Sequence, residues 1–509
     1  MKQKTKYLKN LWRQFLSLDR YLDQKVPFLV LILLTIFLKI PTFFEPHHQI
    51  DESLYLTIGQ GIRQNLDLYK DIFDHKPPLI YWLAFLSPNL MVFKFYGLIF
   101  SLISLWCFFK LSVKFFKINF IAIFSTLLFI ILSFTPIFEG NTVNSELIFT
   151  TFNLLALCLF FTSKTLNSQR CYLIGLFFSL ALLTKIPGLS DLITLLIFIA
   201  FIYKQKNKKT NVKFIILGLI CPLIATVFYF FIQGSLSSFW QSAFLYNKLY
   251  LSYDTLKLSG ILAIIFSLPF KFIINITLTG LIIYFFKRKS LSSNQTFIFL
   301  LLNNQGFFAF LSNRDYRHYF LQLIPGLCLV ITVFFISLWK EKNKKILLKN
   351  VIVILTFIFL IIFNLTIKTI KPFKNIKYWG LDYYQNFINL ITKKITTLQY
   401  AKNFNYLIED NYYLANFFFG KENKTFYLWG DDPALFTTIK KIPTDKYLTN
   451  FHRFDNLNNF QIKNHLSITQ PDYLVVINQD KSSLTAIYNL ENHYYPVLFL
   501  DYLTVYQKN

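Results

Sequence analysis

The chain has 509 residues, 54% of them hydrophobic and only 15% charged, with 61 Phe, 30 Tyr and a formal charge of +26. A soluble chain of this length usually carries roughly 25% charged residues and divides into several domains, so a wholly soluble enzyme is excluded. The excess of Lys and Arg would ordinarily raise nucleic-acid binding, but its distribution along the chain gives it another meaning.

A membrane helix needs about 20 largely apolar residues. Such runs are predicted at 26–44, 90–109, 118–138, 146–163, 171–187, 189–203, 214–232, 266–286, 295–311, 319–338 and 346–367. The first has a basic flank but no small-residue cleavage site after Pro41, so it reads as an uncleaved helix. The pair 171–187 and 189–203 is interrupted by Lys185, Pro187 and Gly188, which suits two short helices meeting at a membrane surface.

Basic residues cluster in alternate connections, at 1–25, 110–117, 164–170, 204–213, 287–289 and 340–349. Together these hold 25 Lys and Arg against three acids, Asp19, Asp23 and Glu341. All six fall on one side of an eleven-span arrangement whose N-terminus is cytoplasmic. The charge is therefore mainly a topology signal, and nucleic acid is not an expected partner. Five Cys lie in or beside predicted spans, so no disulfide framework is readable.

The expected fold class is mostly α: a polytopic membrane protein of about eleven transmembrane helices over 1–367, followed by an extracytoplasmic α/β domain over 368–509. In that tail, strand-like runs occur at Thr425–Trp429, Tyr473–Ile477 and Val497–Tyr506, with a turn signal at Gly430-Asp431-Asp432-Pro433.

Polar chemistry concentrates in the outer loops, above all in 45–88. A helix starting near Asp51 places Asp51 and Tyr55 on one face, although acids in a first helical turn also serve simply to complement the dipole. The loop continues through Asp74, His75, Lys76, Pro77 and Pro78. A second outer loop carries Glu139 and Glu146, and a third carries Arg314, Arg317 and His318 beside Tyr319. Lys185 lies near the outer end of its span. Each has a plain reading, as a snorkelling anchor or an interfacial ion pair. In combination they offer carboxylates able to take a proton and cations suited to a phosphate leaving group.

These residues carry a resemblance. The run from Asp51-Glu52 through Tyr55 to Lys76-Pro77-Pro78-Leu79 and Tyr81-Trp82 resembles the first periplasmic loop of GT-C membrane glycosyltransferases. The nearest group comprises the dolichyl-phosphate-mannose protein mannosyltransferases and the aminoarabinose lipid A transferases. Thr184-Lys185-Ile186-Pro187-Gly188, Arg314 through His318-Tyr319 to Pro325, and Tyr427-Leu428-Trp429-Gly430 with Pro433 resemble later segments of that family, in order.

The resemblance implies inverting transfer of a sugar from a polyprenyl-phosphate donor to a lipid, protein or glycan acceptor, on the outer face of a bacterial inner membrane. It implies Asp51 as base, with Glu52 next and Glu146 as the second-loop acid. Lys76, Arg314, Arg317, His318 and Lys185 would bind the donor phosphate, and Tyr55 would orient the donor. Aminoarabinose transferases carry Glu, able to hold a metal, immediately before the Lys-Pro pair; here that residue is His75. The implied cofactor is at most a divalent metal, with His75 and His318 as candidate ligands. Membrane lipids are the expected surroundings. The competing class is a transporter or flippase for a lipid-linked sugar. Its polar groups would sit near the bilayer midplane, often in paired repeats, whereas these cluster in outer loops.

Overall fold

The computed structural model describes residues 24–203, 208–252, 267–312, 314, 316–340 and 380–509. The run at 346–367 and the expected boundary at 367/368 lie outside them. The chain forms two compact units, one from Met1–Ile40, Tyr96–Thr226 and Leu249–Gly380, the other from Pro41–Phe95, Val227–Lys248 and Leu381–Asn509. The second unit thus gathers the first outer loop with the C-terminal residues.

Among the described residues, five helices are long and apolar enough to cross a membrane: Lys25–Phe44, Leu90–Phe116, Ser145–Thr162, Asn211–Ile232 and Leu268–Lys287. Four shorter apolar helices accompany them, at Asn119–Phe134, Ser168–Thr184, Ile186–Phe201 and Ile324–Ser337. The interrupted pair is joined by a single 3-10 turn, Ile186–Gly188. The run expected at 319–338 begins as a 3-10 turn, Arg317–Gln322, before the helix proper at Ile324. Pro325 sets that start, since it is tolerated only in a first helical turn. The run at 295–311 is a helix, Ser293–Ala309, opened by a capping box between Ser292 and Gln295.

The first unit is held by close packing and by a satisfied polar ladder. Rings stack within it, as Phe108 on Phe129 with centroids 4.3 Å apart. Where Ser168–Thr184 meets the Lys208–Ile232 helix, a Cβ on Gly175 would lie 1.9 Å from the Ile215 carbonyl oxygen, and one on Gly218 2.0 Å from that of Tyr172. Paired glycines let two backbones touch, the usual basis of helix association in lipid. Buried amides link further helices. Gln305 Nε2 donates to Asp191 Oδ1 (3.1 Å), Asn304 Nδ2 to Thr194 Oγ1 (3.1 Å), and Asn303 Nδ2 to Asn275 Oδ1 (2.6 Å). Each such polar atom would cost several kcal/mol if left unpaired in hydrocarbon.

In the second unit, helix Ile50–Arg63 packs on the short helix Leu79–Phe85, with no room for a Cβ at Gly59, which would fall 2.4 Å from the Ala84 carbonyl carbon. The Arg63 guanidinium donates to the carbonyls of Ala84, Phe85 and Ser87 (2.9, 2.6 and 3.0 Å), filling the acceptors a helix end leaves open. Phe73 pairs with Tyr447 and donates its N–H to the Lys446 carbonyl, so the loop is stitched to the C-terminal residues. There a four-stranded sheet runs in the order β1-β2-β4-β3, with β1 Phe426–Trp429, β2 Tyr473–Ile477, β3 Tyr494–Phe499 and β4 Leu503–Lys508. β1 and β2 are parallel and both fully buried, as parallel strands usually are. The single run expected at Val497–Tyr506 is in fact the β3–β4 hairpin. Leu500 N–H donates to the Leu503 carbonyl and closes a turn over Asp501 and Tyr502, so the chain reverses inside the expected run.

Candidate active site

Helix Ile50–Arg63 begins where the Gln49 side chain accepts the Ile50 N–H (2.8 Å). Successive residues on a helix point about 100° apart, so Asp51 and Glu52 face different surroundings. The Glu52 carboxylate is buried 2.9 Å from Lys94 Nζ, which also meets Glu45 at 2.6 Å. Glu45 accepts in addition from the Tyr383 hydroxyl (2.6 Å). Burial pushes the Glu45 carboxyl up, but Lys94 and His48 override it and hold the group below its ordinary value.

The Asp51 side chain remains 22% exposed and lies 3.5 Å from Lys76 Nζ, itself only 5% exposed. Lys76 also lies 3.5 Å from Asp74 Oδ2 and stands 5.1 Å above the centre of the Tyr55 ring. The Lys76 backbone is fixed on both sides: its carbonyl accepts from the Tyr69 hydroxyl (2.6 Å) and its N–H donates to the Tyr81 hydroxyl (3.2 Å). Tyr81 in turn donates to Asp74 Oδ2 (2.6 Å), and Asn247 donates to the His75 carbonyl (2.8 Å). The backbone from which the Lys76 side chain extends is thereby held, while its ammonium sits between two carboxylates and over an aromatic ring.

Asp74 is fully buried. Burial alone would raise its carboxyl, but Lys76 and His75 hold it well below the carboxylate range. His75 Nδ1 lies 2.9 Å from Asp74 Oδ1 and 3.3 Å from His452 Nε2. Burial lowers His452 to about 3, leaving its imidazole neutral.

The remaining sequence candidates lie in the first unit. Lys185 Nζ meets Glu146 Oε1 at 2.5 Å and stands 4.3 Å above the Tyr319 ring. Ser145 Oγ donates to the other Glu146 oxygen (2.9 Å). Glu139, in a left-handed conformation (φ 58°), meets His318 Nδ1 at 2.8 Å and Arg317 at 3.3 Å. Its strained backbone is held because Gly140 packs against the Ser133 carbonyl oxygen, 2.1 Å from where a Cβ would lie. Arg314 is half-buried in the loop before this turn. The two candidate metal ligands, His75 and His318, therefore belong to different compact units and are paired with different acids.

Three residues of these clusters received no role from the sequence, Glu45, Lys94 and His452, and Asp74 and Glu139 were read only as members of the outer-loop polar set. Lys94 had a legible signal, as a cation inside an apolar run. His452 had none.

No family model matches the sequence, and no curated protein matches it. Sixteen chains of solved structure match its fold. ArnT from Cupriavidus metallidurans in the apo state, an aminoarabinose lipid A transferase, is 12% identical, with 95% of this chain and 98% of that chain covered and a TM-score of 0.50. The Archaeoglobus fulgidus oligosaccharyltransferase tethered with an acceptor peptide is also 12% identical, covering 96% of this chain and 74% of that one, at a TM-score of 0.48. The chain has the GT-C fold of membrane glycosyltransferases.

Proposed function

We propose that the protein is an inverting glycosyltransferase, moving a sugar from a polyprenyl-phosphate donor to a lipid, protein or cell-surface glycan acceptor. The observation that carries this reading is the pairing of a partly exposed carboxylate, Asp51, with a buried lysine, Lys76. Asp51 takes the proton of the acceptor hydroxyl as its oxygen attacks the anomeric carbon. The bond from that carbon to the phosphate oxygen breaks on the opposite face, and the departing phosphate keeps the electron pair. Lys76 neutralises the charge that develops on it. At 3.5 Å from each of two acids, its ammonium is held but not locked. Tyr55 keeps it in place from below and so orients the donor indirectly.

The same geometry favours Asp51 over Glu52 as the base, since Glu52 is engaged with Lys94. Glu146 and Glu139 balance Lys185 and the Arg317–His318 pair, and these cations, with Arg314, form a second anion-binding set of the first unit. The reading includes eleven spans with a cytoplasmic N-terminus in the inner membrane, a membrane domain over 1–367 and an outer domain over 368–509.

The test is mass analysis of envelope lipids and glycans from cells making the wild-type protein, Asp51→Asn or no protein. The wild type should add a glycosyl group absent from the other two, with Asp51→Asn present in the membrane at normal level. A full complement of that group in Asp51→Asn cells would sink the assignment. In detergent micelles, release of free polyprenyl phosphate on adding acceptor separates a transferase from a transporter, which needs a sealed vesicle.

A further inference from the structure

We infer that a cavity bounded by the helix Ile408–Phe418, the loop after it and residues 438–444 is a binding site for an acidic saccharide, a sugar chain bearing a carboxylate or a phosphate group. The cavity has a volume of about 800 Å³ and takes in Gln64, just past the C-terminal end of helix Ile50–Arg63. All of its lining residues belong to the second compact unit. Small-ligand sites span about 300–1,000 Å³, so the size suits a short sugar segment. Its walls are braced from within the chain. Lys441 Nζ donates to three carbonyls of the loop, those of Lys421 (2.5 Å), Glu422 (3.1 Å) and Lys424 (2.8 Å). The Gly420 N–H donates to the Glu422 carboxylate (3.1 Å). Opposite the loop, the Gln60 side chain donates to the Lys440 carbonyl (2.8 Å) and ties the cavity to helix Ile50–Arg63. Lys440 is left-handed (φ 56°) and turns the chain out of the short helix Ala434–Ile439. Walls fixed in this way lower the ordering cost of binding.

The lining groups fall into three kinds. The side-chain amides of Gln64, Asn416 and Asn423 make no hydrogen bond among the described residues, and each amide both donates and accepts, as the hydroxyls of a sugar require. Apolar surface comes from Phe419, 86% exposed, and from the half-buried Ile439 and Ile442; it suits the C–H face of a sugar ring. The third kind is cationic. Of the three lining lysines, Lys441 is taken up by carbonyls and Lys424 by Asp472 (3.2 Å). Lys440 is exposed and has no ion pair among the described residues, so its ammonium is left for a ligand. These groups separate the candidate ligands. An apolar molecule would leave the three amides unpaired. A nucleic acid needs several cations along its backbone, and one is left here. A run of hydroxyls with an occasional acid group matches the set.

Helix Ile50–Arg63 carries Asp51 in its first turn and is followed directly by Gln64, so the cavity lies about 20 Å along the helix axis from the proposed base. A saccharide bound here is gripped well away from Asp51. In the transfer reaction, and resting on that reading, this makes the acceptor an acidic glycan and the cavity its second point of attachment. Binding itself does not depend on the transferase reading, because it is measured without donor.

The full chain is purified in detergent and titrated by isothermal calorimetry with tetragalacturonate, maltotetraose phosphate, neutral maltotetraose or a hexaglutamate peptide. The expected result is saturable binding of at least one of the two sugar acids with a Kd of about 1 mM or tighter, and at least about fivefold weaker binding of maltotetraose. The ratio between the two acids tells carboxylate from phosphate recognition. Lys440→Gln should bring the acid down to the level of the neutral sugar, and Phe419→Ala should weaken both. Lys394→Gln, an exposed lysine of the same unit outside the cavity, should change neither. Lys440 and Phe419 are exposed, and unchanged thermal melts confirm that the variants fold. The site is overturned if no sugar acid binds below about 10 mM, if hexaglutamate binds as tightly as the sugar acids, or if Lys440→Gln and Phe419→Ala bind as the wild type does. Transfer without saccharide binding would sink the cavity and spare the transferase reading; binding without transfer would do the reverse.

Discussion

Replacing Lys94 by Met is the sharpest test of how the outer loop is anchored. The ammonium lies 2.6 Å from Glu45 and 2.9 Å from Glu52, all three side chains being almost wholly buried. At an effective dielectric constant of about 20, each contact is worth roughly 6 kcal/mol of attraction before the cost of burying the charges. The net loss is smaller, because the three groups were themselves desolvated. Removing one partner of a buried ion pair costs about 3–5 kcal/mol, most of it the penalty of the charge left behind. Here two carboxylates are left, and Glu45 keeps a hydroxyl donor, from Tyr383. Taking the second compact unit as the cooperative one, at about 200 residues, 4 kcal/mol corresponds to a melting temperature lower by roughly 10 °C. The assay is a thermal melt in detergent followed by Trp fluorescence. The control is the triple variant Lys94→Met with Glu45→Gln and Glu52→Gln, which removes all three charges and should recover most of the loss. A Lys94→Met protein melting within about 2 °C of wild type would refute the argument. So would a triple variant no more stable than the single one.

Three other outcomes are expected. Lys76→Met should raise the donor concentration needed for half-maximal transfer and lower the maximal rate, measured by phosphate-lipid release; an unchanged donor dependence would count against its phosphate role. Asp432→Asn should stabilise the protein at neutral pH. Burial raises the Asp432 carboxyl to about 6 from 3.8, so the folded state binds a proton the unfolded state has lost, and stability falls as pH rises through that window. The full cost near pH 7.5 is about 3 kcal/mol at most, and melts of the two proteins should converge near pH 4; a constant difference across pH would disprove the linkage. Gly218→Ala should destabilise by about 1–3 kcal/mol through overpacking, with Gly218→Val worse; melts equal to wild type would mean that the two helices separate freely.

The sequence made the membrane helices legible because an apolar run of sufficient length has one economical solution in lipid. It also pointed to the loop carrying Asp51 and Lys76, through the order of the family-like segments and not through spacing, since residues 25 apart have no fixed geometry. Which of two adjacent acids turns inward was beyond it. That choice is made by Lys94, a residue 42 positions after Glu52, and a charge pattern read along one helix cannot reveal a partner on another. The same reason hid the Asp74, His75 and His452 triangle. Its third corner comes from the C-terminal residues, brought to the loop by the Phe73–Tyr447 bridge, a contact that no local propensity encodes. The loop is therefore built together with a C-terminal region that, read alone, looked like a separate appendage. A deletion of residues 381–509 removes His452, Lys446 and Tyr447, the partners of the loop residues His75 and Phe73 that precede Lys76 in sequence. Their loss should abolish transfer even where the membrane helices insert normally, and a truncated protein that still transfers sugar would overturn that view.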